Sequence, residues 1–295
     1  MSRRNLFSHL CGLFCAIIWG STFLVSKILL VSYSPVQIML LRFLLAYVAL
    51  WLIYPKWQIR IKDELGFLLM SLFGNMLYYM AENSALLYTY SSNVSILVSL
   101  APIFTLIFIR IFHPGRKVPV NRLAGIFLAF AGTILVVFNG ALVLHLSMKG
   151  DVLSLGAAIC WAVYSLILAR YTDKYSSFLI SRKLMFYGII LSLPVLLIQG
   201  RPFPIFELQR PEYLAGVLFL GLVGSALCYI AWNYACAGIG IVAANMYIYA
   251  IPFVTLAAGA VFMDEPISAM AVIGAALIVT GMMLASDLPQ LIKRQ

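Results

Sequence analysis

Three side chains in this chain carry charge inside long apolar runs: Lys27, Arg42 and Glu82. An ionisable group inside a membrane costs about 2.5–3.5 kcal/mol on insertion scales, so it is kept for pairing or for function. At 1.5 Å per helical residue, Lys27 lies about 6 Å below the outer end of its run. Arg42 lies about 10 Å, and Glu82 about 9 Å, from the outer ends of theirs. One shared depth makes a pair of Glu82 with Arg42 or Lys27 the structural expectation. The chemical alternative is that these three serve charge recognition or coupling, with Glu82 taking up and releasing a proton.

Other groups suit the binding of a solute. Asn83 and Asn233 are amides in apolar surroundings, and each needs a partner from a neighbouring helix or from a ligand. Trp19, Tyr78, Tyr79, Trp161, Tyr164, Tyr229, Trp232, Tyr247 and Tyr249 form a dense aromatic set in a chain that is 14% aromatic. Aromatic walls suit apolar solutes, flat rings and cations, although such side chains also serve as packing or as interfacial belts. Pro102 and Pro252 each remove one backbone hydrogen bond, so both are expected helix kinks, and a freed carbonyl there can face a cavity.

Catalytic chemistry finds less support. Ser21 and Ser225 each follow a glycine, but a serine nucleophile needs a base. His9, His113 and His145 are expected at helix ends or in loops, away from both serines. There is no HExxH and no phosphate-binding GxxxxGK[ST], so neither a metal site nor a nucleotide motor is indicated. Cys11, Cys15, Cys160, Cys228 and Cys236 lack zinc spacing and read as small buried apolar groups. Asp264 and Glu265, just before Pro266, read as a cap on the last helix.

The elements that must position these residues follow from composition. The chain is 63% hydrophobic and 10% charged, with a mean hydropathy of +1.01. Soluble domains are about 25% charged. So much apolar surface cannot be buried in one aqueous core, and the solvent of this chain must be lipid. The net charge of +10 sits in short caps between apolar runs and forms no nucleic-acid-binding face.

Ten membrane helices are predicted: His9–Val31, Pro35–Tyr54, Glu64–Tyr88, Ser92–Phe112, Arg122–Gly140, Gly150–Tyr171, Phe178–Gln199, Glu212–Cys236, Ile241–Met263 and Pro266–Ala285. The first is too long for a signal-peptide core and lacks a small-residue cleavage site, so it is expected to be retained. Lys and Arg crowd the connections on the side of the two termini, which places both termini in the cytoplasm.

The chain also repeats itself. Gly66–Leu106 is answered 150 residues later, at 12 of 41 positions without a gap. Chance in so apolar a chain gives roughly 3 or 4 matches. Gly74, Tyr79, Asn83 and Pro102 are matched by Gly224, Tyr229, Asn233 and Pro252. Trp19 echoes Trp161, and Gly125 and Gly132 echo Gly274 and Gly281, small residues that let helices approach closely. The fold expected is therefore an all-α integral membrane protein with two repeats, residues 8–140 and 150–286. Five helices per repeat would turn the second copy upside down, the inverted topology of many secondary transporters.

The pieces IIWGSTFLVSK, LLRFLLA, ENSALLYTYSSNVSILVSLAPIFT and FMDEPIS, set in two five-helix repeats, resemble the EamA-type transporters of the drug/metabolite transporter superfamily. The resemblance implies a carrier of the bacterial inner membrane, often an exporter of amino acids, metabolites or toxic compounds. It implies a substrate cavity between the halves, lined by the first, third, fourth, sixth, eighth and ninth helices. The substrate-contact residues expected there are Trp19, Tyr78, Tyr79, Glu82, Asn83, Trp161, Tyr164, Tyr229, Trp232, Asn233 and Tyr249. Glu82 is answered by Trp232, so the halves differ in charge. The function expected is secondary transport of a small organic solute by alternating access, with protons as candidate coupling ion and no cofactor. The alternatives are a membrane receptor or scaffold and, least favoured, an intramembrane enzyme.

Overall fold

The computed structural model describes residues 3–56, 58–89, 91–112, 119–138, 147–254, 257 and 268–285. Among these residues the chain is helical, with no strand. We number the helical segments α1 (Arg3–Leu29), α2 (Pro35–Ile53), α3 (61–85), α4 (91–112) and α5 (Val120–Phe138). They continue with α6 (Met148–Leu168), α7 (Ser177–Gln199), α8 (Pro211–Ile239), α9 (Ile241–Val254) and α10 (Ala269–Ala285). The end of the bundle where α1 begins is called lower, and the opposite end upper.

Local chemistry sets the helix ends. Ser34 caps α2 in a reciprocal box: its Oγ accepts from the Gln37 N–H, while Gln37 Oε1 accepts from the Ser34 N–H at 2.9 Å. Pro35 then occupies the first turn, where no amide donor is needed. Ser176 caps α7 by a single bond, its Oγ accepting from the Leu179 N–H at 3.3 Å. Gly200 stops α7 with φ +58°, a conformation that favours glycine.

Four helix irregularities fall at repeat-related places. α3 opens into a π turn over Leu72–Leu77, and α8 does so over Phe219–Leu227. α4 breaks between Val98 and Ala101, where the predicted helix runs on. The ring of Pro102 clashes with the carbonyl four residues back, that of Val98. α9 tightens into a 3-10 turn over Met246–Ala250, just before Pro252.

Packing pairs the segments α1 with α8, α3 with α6, α2 with α7, and α5 with α10. The last pair crosses on glycine. A Cβ on Gly132 would come within 2.5 Å of the Gly274 carbonyl oxygen, and one on Gly125 within 2.5 Å of that of Gly281. Backbone therefore meets backbone, as small residues permit in lipid. Outside the core, large apolar side chains stand exposed along the helices, Val48, Leu52, Ile190 and Leu197 among them. Among the described residues, six helices are long and apolar enough to cross a membrane. The molecule is a multi-pass membrane protein.

Candidate functional site

The centre of the bundle is aromatic. The rings of Trp19 (α1), Trp161 (α6) and Trp232 (α8) touch one another, with centroids 5.1 to 5.5 Å apart. Tyr78 packs on Trp161 at 5.1 Å, and Tyr229 on Trp19 at 6.1 Å. Such pairs contribute about 0.5–1.5 kcal/mol each beyond area burial. Rings at these distances leave no solute-sized gap between them, so the centre is closed. Above it lies a cleft of about 370 Å³, its mouth included, lined by Trp19, Tyr78, Tyr79, Glu82, Trp161 and neighbouring apolar groups.

The π turns anchor this centre. A π turn leaves carbonyls without their usual amide partner, and here side chains from elsewhere supply the donor. Trp19 Nε1 donates to the Gly224 carbonyl at 3.0 Å. Tyr229 Oη donates to the Gly74 carbonyl at 2.9 Å. Gly74 and Gly224 are repeat partners, so each half accepts a bond from the other at the same place. The flanking contacts correspond too: Asn75 Nδ2 donates to the Leu184 carbonyl on α7 at 2.8 Å, and Arg42 Nε on α2 donates to Ser225 Oγ at 2.9 Å.

The charged residues are arranged differently from the expectation. Glu82 is buried, yet among the described residues it forms no ion pair with Arg42 or Lys27. Its hydrogen-bond partner is the Tyr78 hydroxyl, 3.5 Å from Oε1. Arg42 is instead held by Ser225, lies 4.0 Å from the Tyr79 ring centroid, and donates from Nη2 to Tyr79 Oη at 3.3 Å. The face of Tyr79 takes up the positive charge that a carboxylate was expected to neutralise. Lys27 stands on the exposed side of α1, away from the buried centre. The three do not share a direction.

Of the other expected contact residues, Tyr164 and Asn233 meet each other, Oη to Oδ1 at 3.3 Å, and Asn233 Nδ2 reaches Ser181 Oγ at 2.9 Å. They tie α6, α7 and α8 together and do not line the cleft. Asn83 is fully buried, and neither of its amide atoms has a hydrogen-bond partner among the described residues. The Trp232 indole N–H is in the same state. Tyr249 packs apart from the centre, against Phe130 and the α5–α10 pair. Pro102 and Pro252 follow the breaks described above. His9 is buried inside α1 rather than at its end, hydrogen-bonded to Tyr247 Oη at 2.8 Å. Twelve helical residues, about 18 Å, separate it from Ser21. His113, His145, Asp264 and Glu265 lie outside the described residues.

Sequence reasoning missed two features. Asn245 is a buried hub: its Oδ1 accepts from Trp161 Nε1 at 3.0 Å, and its Nδ2 reaches Thr105 and Ser165. Its repeat partner is Ser95, so the repeat gave no sign of it. The second is a network at the lower end. Tyr175 Oη donates to Asp63 Oδ2 at 2.6 Å, Lys174 pairs with Asp63 at 3.8 Å, and Lys183 pairs with Glu64. These bonds fasten the α6–α7 connection and the start of α7 to the start of α3. Burial, followed by the Asp63 bond and charge, pushes the Tyr175 phenol up to about 12. At the upper end the connection between α1 and α2 is held without charge: Tyr33 Oη donates to the Pro204 carbonyl at 3.1 Å, and its ring meets Tyr213.

The profile of the EamA-like transporter family matches this chain twice, over residues 6–138 and 148–287. An uncharacterized transporter of Archaeoglobus fulgidus is 28% identical, over 96% of this chain and 98% of its own length. A protein of Streptantibioticus cattleyicolor named "Probable terminal-alkyne amino-acid exporter" is 24% identical, over 91% and 89%. An Escherichia coli protein named "Probable amino-acid metabolite efflux pump" is 24% identical, over 96% and 94%. A solved crystal structure at 19% identity shares the fold, with TM-score 0.76 over 97% of this chain and 98% of that one.

Proposed function

The chain belongs to the EamA-like transporter family, and from that premise we propose that it is a secondary carrier exporting a small organic solute, an amino acid or related metabolite, by alternating access. The observation that carries this reading is the closed aromatic centre, to which both halves contribute indoles and at which each half's π turn accepts a bond from the other. Helix pairing supports two inverted five-helix halves. The contact of α1 with α8 answers that of α6 with α3, while α2 meets α7 and α5 meets α10. Halves related in this way can exchange conformations, opening the centre to one face and then the other. The cleft above the indoles is where a solute would first meet the aromatic wall and Glu82. The names of two relatives favour amino-acid-like solutes. The bias of basic residues towards the lower end supports a cytoplasmic position for that end and for both termini, in a bacterial inner membrane. With no nucleotide-binding loop, the driving force is a gradient, and Glu82 is the group to carry a coupling proton.

Reconstituted protein in liposomes loaded with a mixture of amino acids and a bacterial metabolite extract tests this. Mass spectrometry should find at least one solute released faster than from protein-free liposomes, and the same solute should accumulate outside overexpressing cells. Binding without flux for every solute would favour a receptor over a carrier.

A further inference from the structure

A second cleft, of about 560 Å³ with its mouth, opens at the lower end of the α2–α7 seam, remote from the aromatic centre. Its lining includes Arg182, Lys183 and Glu64 beside Tyr47, Phe186 and Ile59. The cations and the acid do not balance. Lys183 and the Tyr187 hydroxyl both hold Glu64, so those two charges cancel. Arg182 is only 3% exposed, and it donates to the backbone carbonyls of Tyr54 and Lys56. Two carbonyls occupy part of its five-donor fork but leave its charge, and among the described residues no carboxylate pairs with it. A buried cation without a counter-ion is costly, and an anion in the adjoining cleft would relieve it.

The remaining walls point to the kind of anion. Tyr47 and Phe186 form an aromatic floor, with ring centroids 5.8 Å apart. Above them, exposed apolar side chains continue along both helices, Leu44 and Val48 on α2 and Ile190 and Leu193 on α7. Arg182 and Lys183 sit within two turns of the start of α7, and Tyr47 within two turns of the end of α2, which puts the charged end of the cleft near headgroup depth for helices of this length. A charged head at the interface, above an apolar track running into the hydrocarbon, is the shape of a phospholipid. Basic pockets between membrane helices bind anionic headgroups in this way.

We propose that this cleft is a binding site for one anionic phospholipid, its phosphate facing Arg182 and an acyl chain lying along the α2–α7 seam. The proposal does not depend on which solute the centre carries.

Native mass spectrometry of the purified full-length chain, offered equal amounts of dioleoyl phosphatidylglycerol and dioleoyl phosphatidylcholine, tests it. One phosphatidylglycerol should bind preferentially, by about fivefold or more, the weight of one cation at an anionic lipid surface. Arg182→Gln should remove the preference. Because that residue is buried, Ile59→Glu serves as a second variant: the side chain is 56% exposed, so the new charge repels the headgroup without entering the core. Lys62→Gln removes an equal charge from the same end but outside the cleft, and should keep the preference. Equal binding of both lipids to the unaltered protein would overturn the proposal. So would a preference that survives Ile59→Glu, or one lost equally in Lys62→Gln. Inorganic phosphate that displaces nothing is expected; phosphate that abolishes the preference at millimolar concentration would make this an anion site rather than a lipid site.

Discussion

At the scale of single residues, Glu82 and Arg42 set the test of mechanism. Glu82 faces the central cleft with one weak neutral contact, while Arg42 is fixed by Ser225 and Tyr79. An acid without a fixed ion pair can change protonation without dismantling the fold. Glu82→Gln should therefore retain solute binding and exchange while removing the pH dependence of net transport, measured as flux at several external pH values. An unchanged pH profile in a well-folded variant would exclude Glu82 as the coupling group. Tyr229 makes a different prediction. Its hydroxyl is the donor to the Gly74 carbonyl in the π turn, at 2.9 Å. Tyr229→Phe leaves that buried carbonyl unsatisfied, at a cost of about 1–3 kcal/mol, and the melting temperature in detergent should fall accordingly.

At the scale of helices, glycines separate tight crossings from spare room. A methyl group on Gly132 would meet the backbone of α10 at 2.5 Å, and backbone cannot rotate aside. Gly132→Ala should destabilise the protein by about 1–3 kcal/mol, the usual cost of overpacking. Gly156, within α6, has nothing within 4 Å of the same methyl position. Gly156→Ala should be neutral or stabilise by about 0.5–1 kcal/mol through helix preference. Thermal melts of the two variants against the parent measure the contrast. The lower-end network has a signature in alkali. The Tyr175 phenol is raised above its ordinary value to about 12 by burial and Asp63, so the folded state favours its neutral form. Its contribution should be complete below about pH 10, the ordinary tyrosine range, and fade as pH rises towards 12. The stability difference between the parent and Tyr175→Phe should therefore hold constant up to about pH 10 and narrow above it.

For the whole molecule, the prediction is orientation. The connection between α7 and α8 holds Gln209, which is exposed; Cys11, Cys15, Cys228 and Cys236 are buried, and the half-buried Cys160 sets the background read from the parent protein. In intact cells Gln209→Cys should react with a membrane-impermeant thiol reagent from the periplasmic side. Labelling only after the cytoplasmic face is exposed would reverse the topology and move the Arg182 cleft to the other leaflet.

Composition alone determined that lipid is the solvent. Local chemistry determined several helix ends, since Ser34 with Pro35, Ser176 and Gly200 act on their own neighbours. The repeat pointed to the places where the helices deviate, because Gly74 with Gly224 and Pro102 with Pro252 are matched in sequence before they are matched in space. Distance along a helix was legible as well, since rise per residue adds up, and it is the basis on which Lys27, Arg42 and Glu82 are expected at one level. Direction was not. Each added residue turns a helix by about 100°, and a π turn inserts such a residue without any clear mark in the sequence. The facing of Trp232 and Asn233 therefore depends on a turn upstream of them, at Phe219–Leu227. Only tertiary packing decided that Lys27 points outward, that Arg42 rests on Tyr79 rather than Glu82, and that Asn245 closes on Trp161. Those outcomes depend on the rotation of one helix against another, which no single helix encodes.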